Sequence, residues 1–498
     1  MRASRPAAVV VLAAGEGTRM RSATAKVLHP IAGRSLVGHA IAAARGVEPD
    51  HLVVVVRHQR DAVVAHLAEI APDVLTADQD DVKGTGRATA CGLAVLPELD
   101  GTVLVTYGDV PLLTTETLLE LVAEHQRGGQ AVTVLTAVVD DPSGYGRVLR
   151  ESDGTVAAIV EQKDATALQL AVAEINSGIY AFDGVFLRSA LAQLTTDNAA
   201  GEAYLTDVVA IARASGRIVV AVPLDDVWQT EGVNDRVQLA QLGRILRDRL
   251  VEQWMRAGVS VVDPQTTWLD VTVELAPDVT LLPGTQLLGA TKIAEGALVG
   301  PDTTLVDCIV GPDASVVRSH ATGAVIGAGA TVGPFSFLRP GTRLGDRGKI
   351  GAYVETKNAV IGRASKVPHL SYVGDAEIGE GTNIGAATIF VNYDGEAKHH
   401  ITVGDQVRIG SDTMLIAPVR IGDGAYTAAG SVIDAEVPPG ALAVGRARQR
   451  NIAGWVERRR AGSGSAAAAA AAAATVATAD PTDTKATGSG EPTEGQHP

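Results

Sequence analysis

The chain has 498 residues, more than one hydrophobic core normally serves, so two or more domains are expected. Apolar residues make up 46% and aromatics only 3%, with 54 glycines, which predicts cores of Val, Ile, Leu and Ala joined by many tight turns. A formal charge of -15 argues against a general nucleic-acid binder but leaves room for a local phosphate pocket, and the widely separated Cys91 and Cys308 suggest neither a disulfide framework nor a zinc site, which fits the cytosol.

The opening MRASRPAAVVVLAAG has a short apolar run followed at once by a glycine-rich loop. A buried first strand explains it better than a signal peptide. Residues 7–12, 51–56, 102–106 and 131–136 read as buried strands, and 36–45 and 87–96 as helices. This alternation predicts an α/β domain with a mainly parallel sheet, ending near residue 225, with its ligand loops at the C-terminal ends of the strands. Residues 235–257 carry Leu, Ile and Val at helical spacing and end at Gly258, as a helical connector would.

From about residue 259 the composition shifts to short apolar residues, glycines and small polar residues. Ile326, Val332, Leu338, Leu344 and Ile350 recur every six residues, as do Val403, Ile409, Leu415, Ile421, Thr427 and Ile433. A period of six suits a parallel β-helix with three strands per turn, so residues 18 apart stack: Ile326 with Leu344, Val403 with Ile421. Roughly ten turns would build a column about 45–50 Å long. The rhythm breaks at 351–375 and at 390–402, and the second break reads as a loop thrown out from the column. No apolar stretch is long enough to predict a membrane span. The chain therefore divides into 1–233, a linker at 234–258, a coil at 259–457 and a disordered tail at 458–498, whose alanine run is at most transiently helical.

In the first domain, LAAGEGTRM at 12–20 follows a strand, and KVLHP carries Lys26. Backbone N–H groups with Arg19 and Lys26 suit a triphosphate; the plain alternative is a strand–helix turn with surface cations. Gln79 and the VKGTG loop could meet a flat base. Asp109, in YGDVP at a strand end, suits Mg²⁺ or a simple turn, and Asn234 could complete the metal site. GYGR at 144–147, Glu161 and NSGIY at 176–180 form a polar set suited to a sugar. In the coil, KVPHLSYVGD at 366–375 carries His369, which is a turn residue or a general base. On the repeat alone, the coil is either a passive trimerising column or an acyltransferase.

Over about 7–450, the order LAAGEGTRM, KVLHP, KGTG, YGD, GYGR, Glu161 and NSG, followed by hexapeptides and KVPHLSYVGD, strongly resembles a bacterial family. This is the bifunctional N-acetylglucosamine-1-phosphate uridyltransferase/glucosamine-1-phosphate N-acetyltransferase family. The resemblance implies a Rossmann-like α/β nucleotidyltransferase domain followed by a left-handed parallel β-helix. It implies that Leu12, Ala13, Ala14, Gly15, Gln79, Gly84 and Thr85 contact UTP, with Tyr107 among the substrate contacts. Gly146, Glu161 and Asn176 would hold N-acetylglucosamine 1-phosphate, Asp109 and Asn234 Mg²⁺, and Arg19 and Lys26 the triphosphate and departing pyrophosphate. In the coil it implies His369 as general base, with Arg339, Lys357, Tyr372, Asn383, Asn392 and Tyr393 toward glucosamine 1-phosphate. Ala386, Ser411, Ala429 and Arg446 would face acetyl-CoA. A cytoplasmic homotrimer serving cell-wall precursor supply follows from the same resemblance. The alternative is a single-function sugar-phosphate nucleotidyltransferase with a structural coil. Pro368 and Arg87 depart from the family's usual glycine and histidine.

Overall fold

The computed structural model describes residues 5–478. They fall into two compact units that divide between Asp313 and Ala314.

The first unit opens on a sheet with strand order Val219–Pro223, Val132–Val138, Glu174–Asp183, Thr102–Tyr107, Ala8–Leu12, His51–Val56, Leu75–Asp78. Ala8–Leu12 is buried along its whole length, and Val10 pairs with Val53 on one side and Val105 on the other. Successive residues serve opposite faces, as a pleated strand requires. Val10, Val53, Val55 and Val103 pack toward the helix Thr85–Ala94, while Val9, Val11, Val54 and Leu104 pack toward Leu36–Gly46 and Thr115–Arg127. A sheet covered on both faces accounts for the uninterrupted apolar strands. Among these seven strands the expected parallel pairing holds with one exception; the added pair Arg147–Arg150 and Val156–Val160 is also antiparallel. Glu174–Asp183 runs antiparallel between two neighbours, and its register with Val132–Val138 shifts between Asn176 and Tyr180. Gly178 sits in that shift at φ +79°, where a Cβ would overlap the Tyr107 ring.

The connector helix is Arg236–Arg256, capped by Asp235, whose carboxylate accepts from the Val237 and Gln238 N–H groups. Arg247 lies 4.8 Å over the Trp268 ring and donates to the Gln265 carbonyl at 2.8 Å, tying this helix to the first coil. Val271 N–H adds a bond to the Ala32 carbonyl. These contacts account for the first coil turns belonging to the first compact unit rather than beginning a separate one at residue 259.

Within the first unit the coil has three walls. Leu269 pairs in register with Leu287, Leu275 with Ile293, and Leu281 with Val299. In the second unit Ile326 pairs with Leu344 and Val403 with Ile421, as the six-residue period predicts. The expected break at 351–375 is not a break. Leu344 pairs with Ile361 and Ile350 with Val367, so each turn here is one residue shorter, and the strands remain continuous. Thr356 takes the inward position and is fully buried, its hydroxyl 3.0 Å from that of Thr342. A polar residue in an apolar slot hid the rhythm. The second break is a true excursion: residues 392–400 leave between Ile389–Val391 and Ile401–Val403, with a bridge between Tyr393 and Lys398.

In the segment expected to be a disordered tail, Gly464–Thr478 is helical, because nine consecutive alanines carry the highest helix propensity. Residues 479–498 lie outside the described residues. No described helix is long and apolar enough to cross a membrane.

Two stability outcomes follow. Leu415 is fully buried, in register with Phe390 and Ile433. Leu415→Ala should cost about 2–5 kcal/mol, read as a lower denaturant midpoint. His39 and His125 are buried, and burial lowers each imidazole to about 4. The unfolded chain then binds more protons between those values and the ordinary 6.5. Their contribution should be complete above pH 6.5 and lost as pH falls toward 4. His125→Asn should flatten that part of a stability–pH curve.

Candidate active sites

The C-terminal end of Ala8–Leu12 opens into a cavity of about 430 Å³. Leu12, Ala13, Ala14, Gly15, Lys26, Gln79, Gly84, Thr85, Tyr107 and Asp109 all line it. Ala13 N–H donates to the Val55 carbonyl and Gly108 N–H to the Leu12 carbonyl, each at 2.9 Å, so strand pairing itself holds the loop. The Gln79 amide donates to the carbonyls of Val82 at 2.9 Å and Gly84 at 3.3 Å, closing the second loop on itself. Arg87 holds Asp80 through its Nε at 2.9 Å, and Asp80 accepts from Val82 N–H.

Lys26 and Asp109 form an ion pair at the cavity floor, with both side chains largely buried. Val233 N–H donates to the Asp109 carbonyl at 2.9 Å, so Asn234 follows directly on a backbone contact with Asp109, although it does not line the cavity. The Asn234 Nδ2 donates to the Gly232 carbonyl at 3.4 Å, leaving Oδ1 as an acceptor. A carboxylate and an amide oxygen are the hard donors that Mg²⁺ takes alongside phosphate oxygens and water. Arg19 stands apart: it is exposed on the turn Thr18–Met20 and does not line the cavity.

A second cavity of about 260 Å³ shares Thr85, Tyr107 and Glu202 with the first. Gly146, Glu161 and Asn176 line it, as expected, but so do Glu202 and Tyr204. Those two were missed; the stretch GEAYLTD at 201–207 was the available signal. Burial raises the Glu161 carboxyl, while the Thr206 hydroxyl opposes it with a 3.3 Å hydrogen bond. Burial likewise pushes the Tyr107 phenol up.

The coil residues form two groups. One is a ridge along a corner of successive turns. Leu370 N–H donates to the Ala352 carbonyl, Ala387 N–H to that of His369, Asp412 N–H to that of Ala386, and Gly430 N–H to that of Ser411. His369, Ala386, Ser411 and Ala429 therefore follow one another up the corner, and the Arg446 stem lies beside Gly430. The imidazole is exposed, and Ser371 hydroxyl donates to the His369 carbonyl at 2.8 Å.

The other group is polar. Glu355 and Tyr372 are register partners, Arg339 donates to Glu355 at 3.0 Å, and Asn392 donates to Asp375 at 2.6 Å. Burial pulls the Asp375 carboxyl up, but hydrogen bonds from Asn358 and Asn392 together with the charges of Lys357 and Lys398 outweigh it and leave it lowered. Lys398, hydrogen-bonded beside Lys357, lowers the Lys357 ammonium. Asp375 was missed as an organiser of this group, although it ends the KVPHLSYVGD segment. Tyr393 is exposed and bonds only within its own loop, to the Gly395 carbonyl. Asn383 bridges Lys366 and Arg408 along another strand.

Residues 9–168 match the MobA-like NTP transferase domain, and 400–435 match the bacterial transferase hexapeptide. Over nearly the whole chain it is similar to proteins named "Bifunctional protein GlmU". The one from Kineococcus radiotolerans is 63% identical, covering 92% of this chain and 93% of the relative. That from Streptomyces avermitilis is 60% identical over 93% and 96% of the two chains, and that from Mycolicibacterium vanbaalenii 58% over 92% and 94%. With an NTP-transferase sheet, a left-handed parallel β-helix and identity of this extent, the chain belongs to the GlmU family of bifunctional transferases.

Proposed function

We propose that the chain acetylates glucosamine 1-phosphate with acetyl-CoA at the coil. It then joins N-acetylglucosamine 1-phosphate to UTP at the first domain, giving UDP-N-acetylglucosamine and pyrophosphate. The observation that carries this reading is the His369–Ala386–Ser411–Ala429 ridge, which a passive column has no need of. It stands in a chain that also carries the Lys26–Asp109 cavity.

In acetyl transfer the substrate amine attacks the thioester carbonyl carbon. Its proton passes to the His369 imidazole, and the C–S bond breaks to release the CoA thiolate. Arg339, Lys357 and Lys398 offer cations for the acceptor's phosphate, with Tyr372, Asn392 and Tyr393 beside them. Arg446 meets a cofactor phosphate, and Asn383 and Ser411 supply polar groups along the coil. In uridylyl transfer a 1-phosphate oxygen attacks the α-phosphorus of UTP and the bond to pyrophosphate breaks. No protein nucleophile is needed. Lys26 neutralises the triphosphate, and Arg19, exposed on the adjoining turn, is assigned to its outer phosphates. The Leu12–Gly15 and Gln79–Thr85 loops hold the nucleotide, and Gly146, Glu161 and Asn176 align the sugar. Asp109 and Asn234 would hold Mg²⁺, which when bound offsets phosphate charge. The protein works in the cytoplasm as a homotrimer.

Separating the reactions tests this. With glucosamine 1-phosphate and acetyl-CoA, His369→Ala should lose roughly 10²–10⁴-fold in acetylation and keep uridylyl transfer. Asp109→Ala should do the reverse. If both folded variants lost both reactions, the two-site assignment would be wrong. Gly351 supplies a subtler test. Its Cβ would overlap the Pro368 carbonyl oxygen, one residue before His369. Gly351→Ala should therefore lower kcat for acetylation alone. An unchanged kcat would remove His369 pose as a determinant.

A further inference from the structure

A third cavity, of about 300 Å³, lies in the first unit and shares no lining residue with the two already described. Its walls come from the hairpin Pro30–Ser35, the helices Leu36–Gly46 and Arg60–Ile70, and Thr272 of the first coil. The lining has two ends. Arg34, Ser35, Arg45 and His66 make a cationic, polar end, and Ile41 and Ile70 an apolar one.

At the polar end, Arg45 is already paired with Asp73. Arg34 is different. It is partly buried, and burial alone lowers its guanidinium, with no carboxylate acting on it among the described residues. The nearby Asp270 instead accepts from Gly289 N–H at 2.7 Å. Ser35 is buried, caps the helix Leu36–Gly46 by accepting from Gly38 N–H, and lies 2.7 Å from His66 Nε2. The positive end of that helix dipole adds to the guanidinium charge. A partly buried cation without a counter-ion carries some desolvation cost, and an anion beside it relieves that cost.

We propose that this cavity binds a small organic anion, with an oxyanion head against Arg34 and Ser35 and an apolar body against Ile41 and Ile70. The hairpin that carries Arg34 is joined by backbone bonds to the segment that presents Lys26. Leu36 N–H bonds to the His29 carbonyl at 3.0 Å and His29 N–H to that of Lys26 at 3.3 Å.

The test is ¹⁹F NMR titration with 4-fluorophenyl phosphate on the full chain, with 4-fluorophenol as the control probe. Wild type and Lys26→Ala should bind the phosphate alike, and the phenol should bind more weakly. Arg34→Gln should weaken the phosphate about tenfold or more, and Arg34→Lys should fall between, with unchanged melting for both. No binding to wild type would overturn the proposal. So would equal binding of the phenol, or loss in Lys26→Ala with Arg34→Gln unaffected, which would put the probe in the nucleotide cavity.

Discussion

Each wall of the coil admits one inward side chain per step, and the parallel backbone ladder fixes where that step falls. This constraint organises the second half of the molecule. Because Ile350 pairs with Val367 and Leu415 with Ile433, the residues between them have no freedom to drift around the column. A corner residue in one turn is held over a corner residue in the next. The ridge from His369 to Ala429 is a consequence of that register, not of contacts among its own side chains. Deep inside, Thr342, Thr356, Thr413 and Thr427 hydroxyls are buried and each has a hydrogen-bond partner, so polar insertions leave the ladder intact.

The first domain solves a different problem. Its binding loops are irregular, and they are fixed by the ends of parallel strands. Asp109 lies just beyond Thr102–Tyr107, Leu12 ends the neighbouring strand, and Lys26 arrives from the segment between Leu12 and the helix Leu36–Gly46 to pair with the carboxylate. The antiparallel Glu174–Asp183 brings Asn176 across to the other side of Tyr107. Two adjoining cavities meeting at Thr85, Tyr107 and Glu202 suit two substrates that must be joined at one bond. Catalysis by alignment and charge needs little more from the protein than such placement.

Much of this was legible in the residues. The runs AVVVL and HLVVVV are apolar throughout because both sheet faces are covered, and the six-residue rhythm reports one inward residue per wall. What failed to show has physical reasons. Shortened walls around Thr356 look like an interruption, since a deleted residue and a polar core residue break the count together. The antiparallel strand reads like any other strand, because pairing direction leaves no mark on apolar composition. Glu202 and Tyr204 reach the second cavity through tertiary folding of a loop that has no periodicity. Arg19 is exposed on its turn and does not line the cavity, a placement its sequence neighbourhood does not reveal. The alanine run forms a helix, although it offers no amphipathic face to announce one.

If one chain holds two independent chemistries joined by a diffusible product, variants crippled at different sites should complement one another. The most direct measurement mixes two variants, each crippled at one site: His369→Ala and Lys26→Ala. Each is supplied alone, and then together, with glucosamine 1-phosphate, acetyl-CoA, UTP and Mg²⁺, and UDP-N-acetylglucosamine is measured. Each variant alone should make almost none, and the mixture should recover synthesis, because one protein supplies what the other consumes. A mixture that stays inactive while both proteins remain folded would contradict the account.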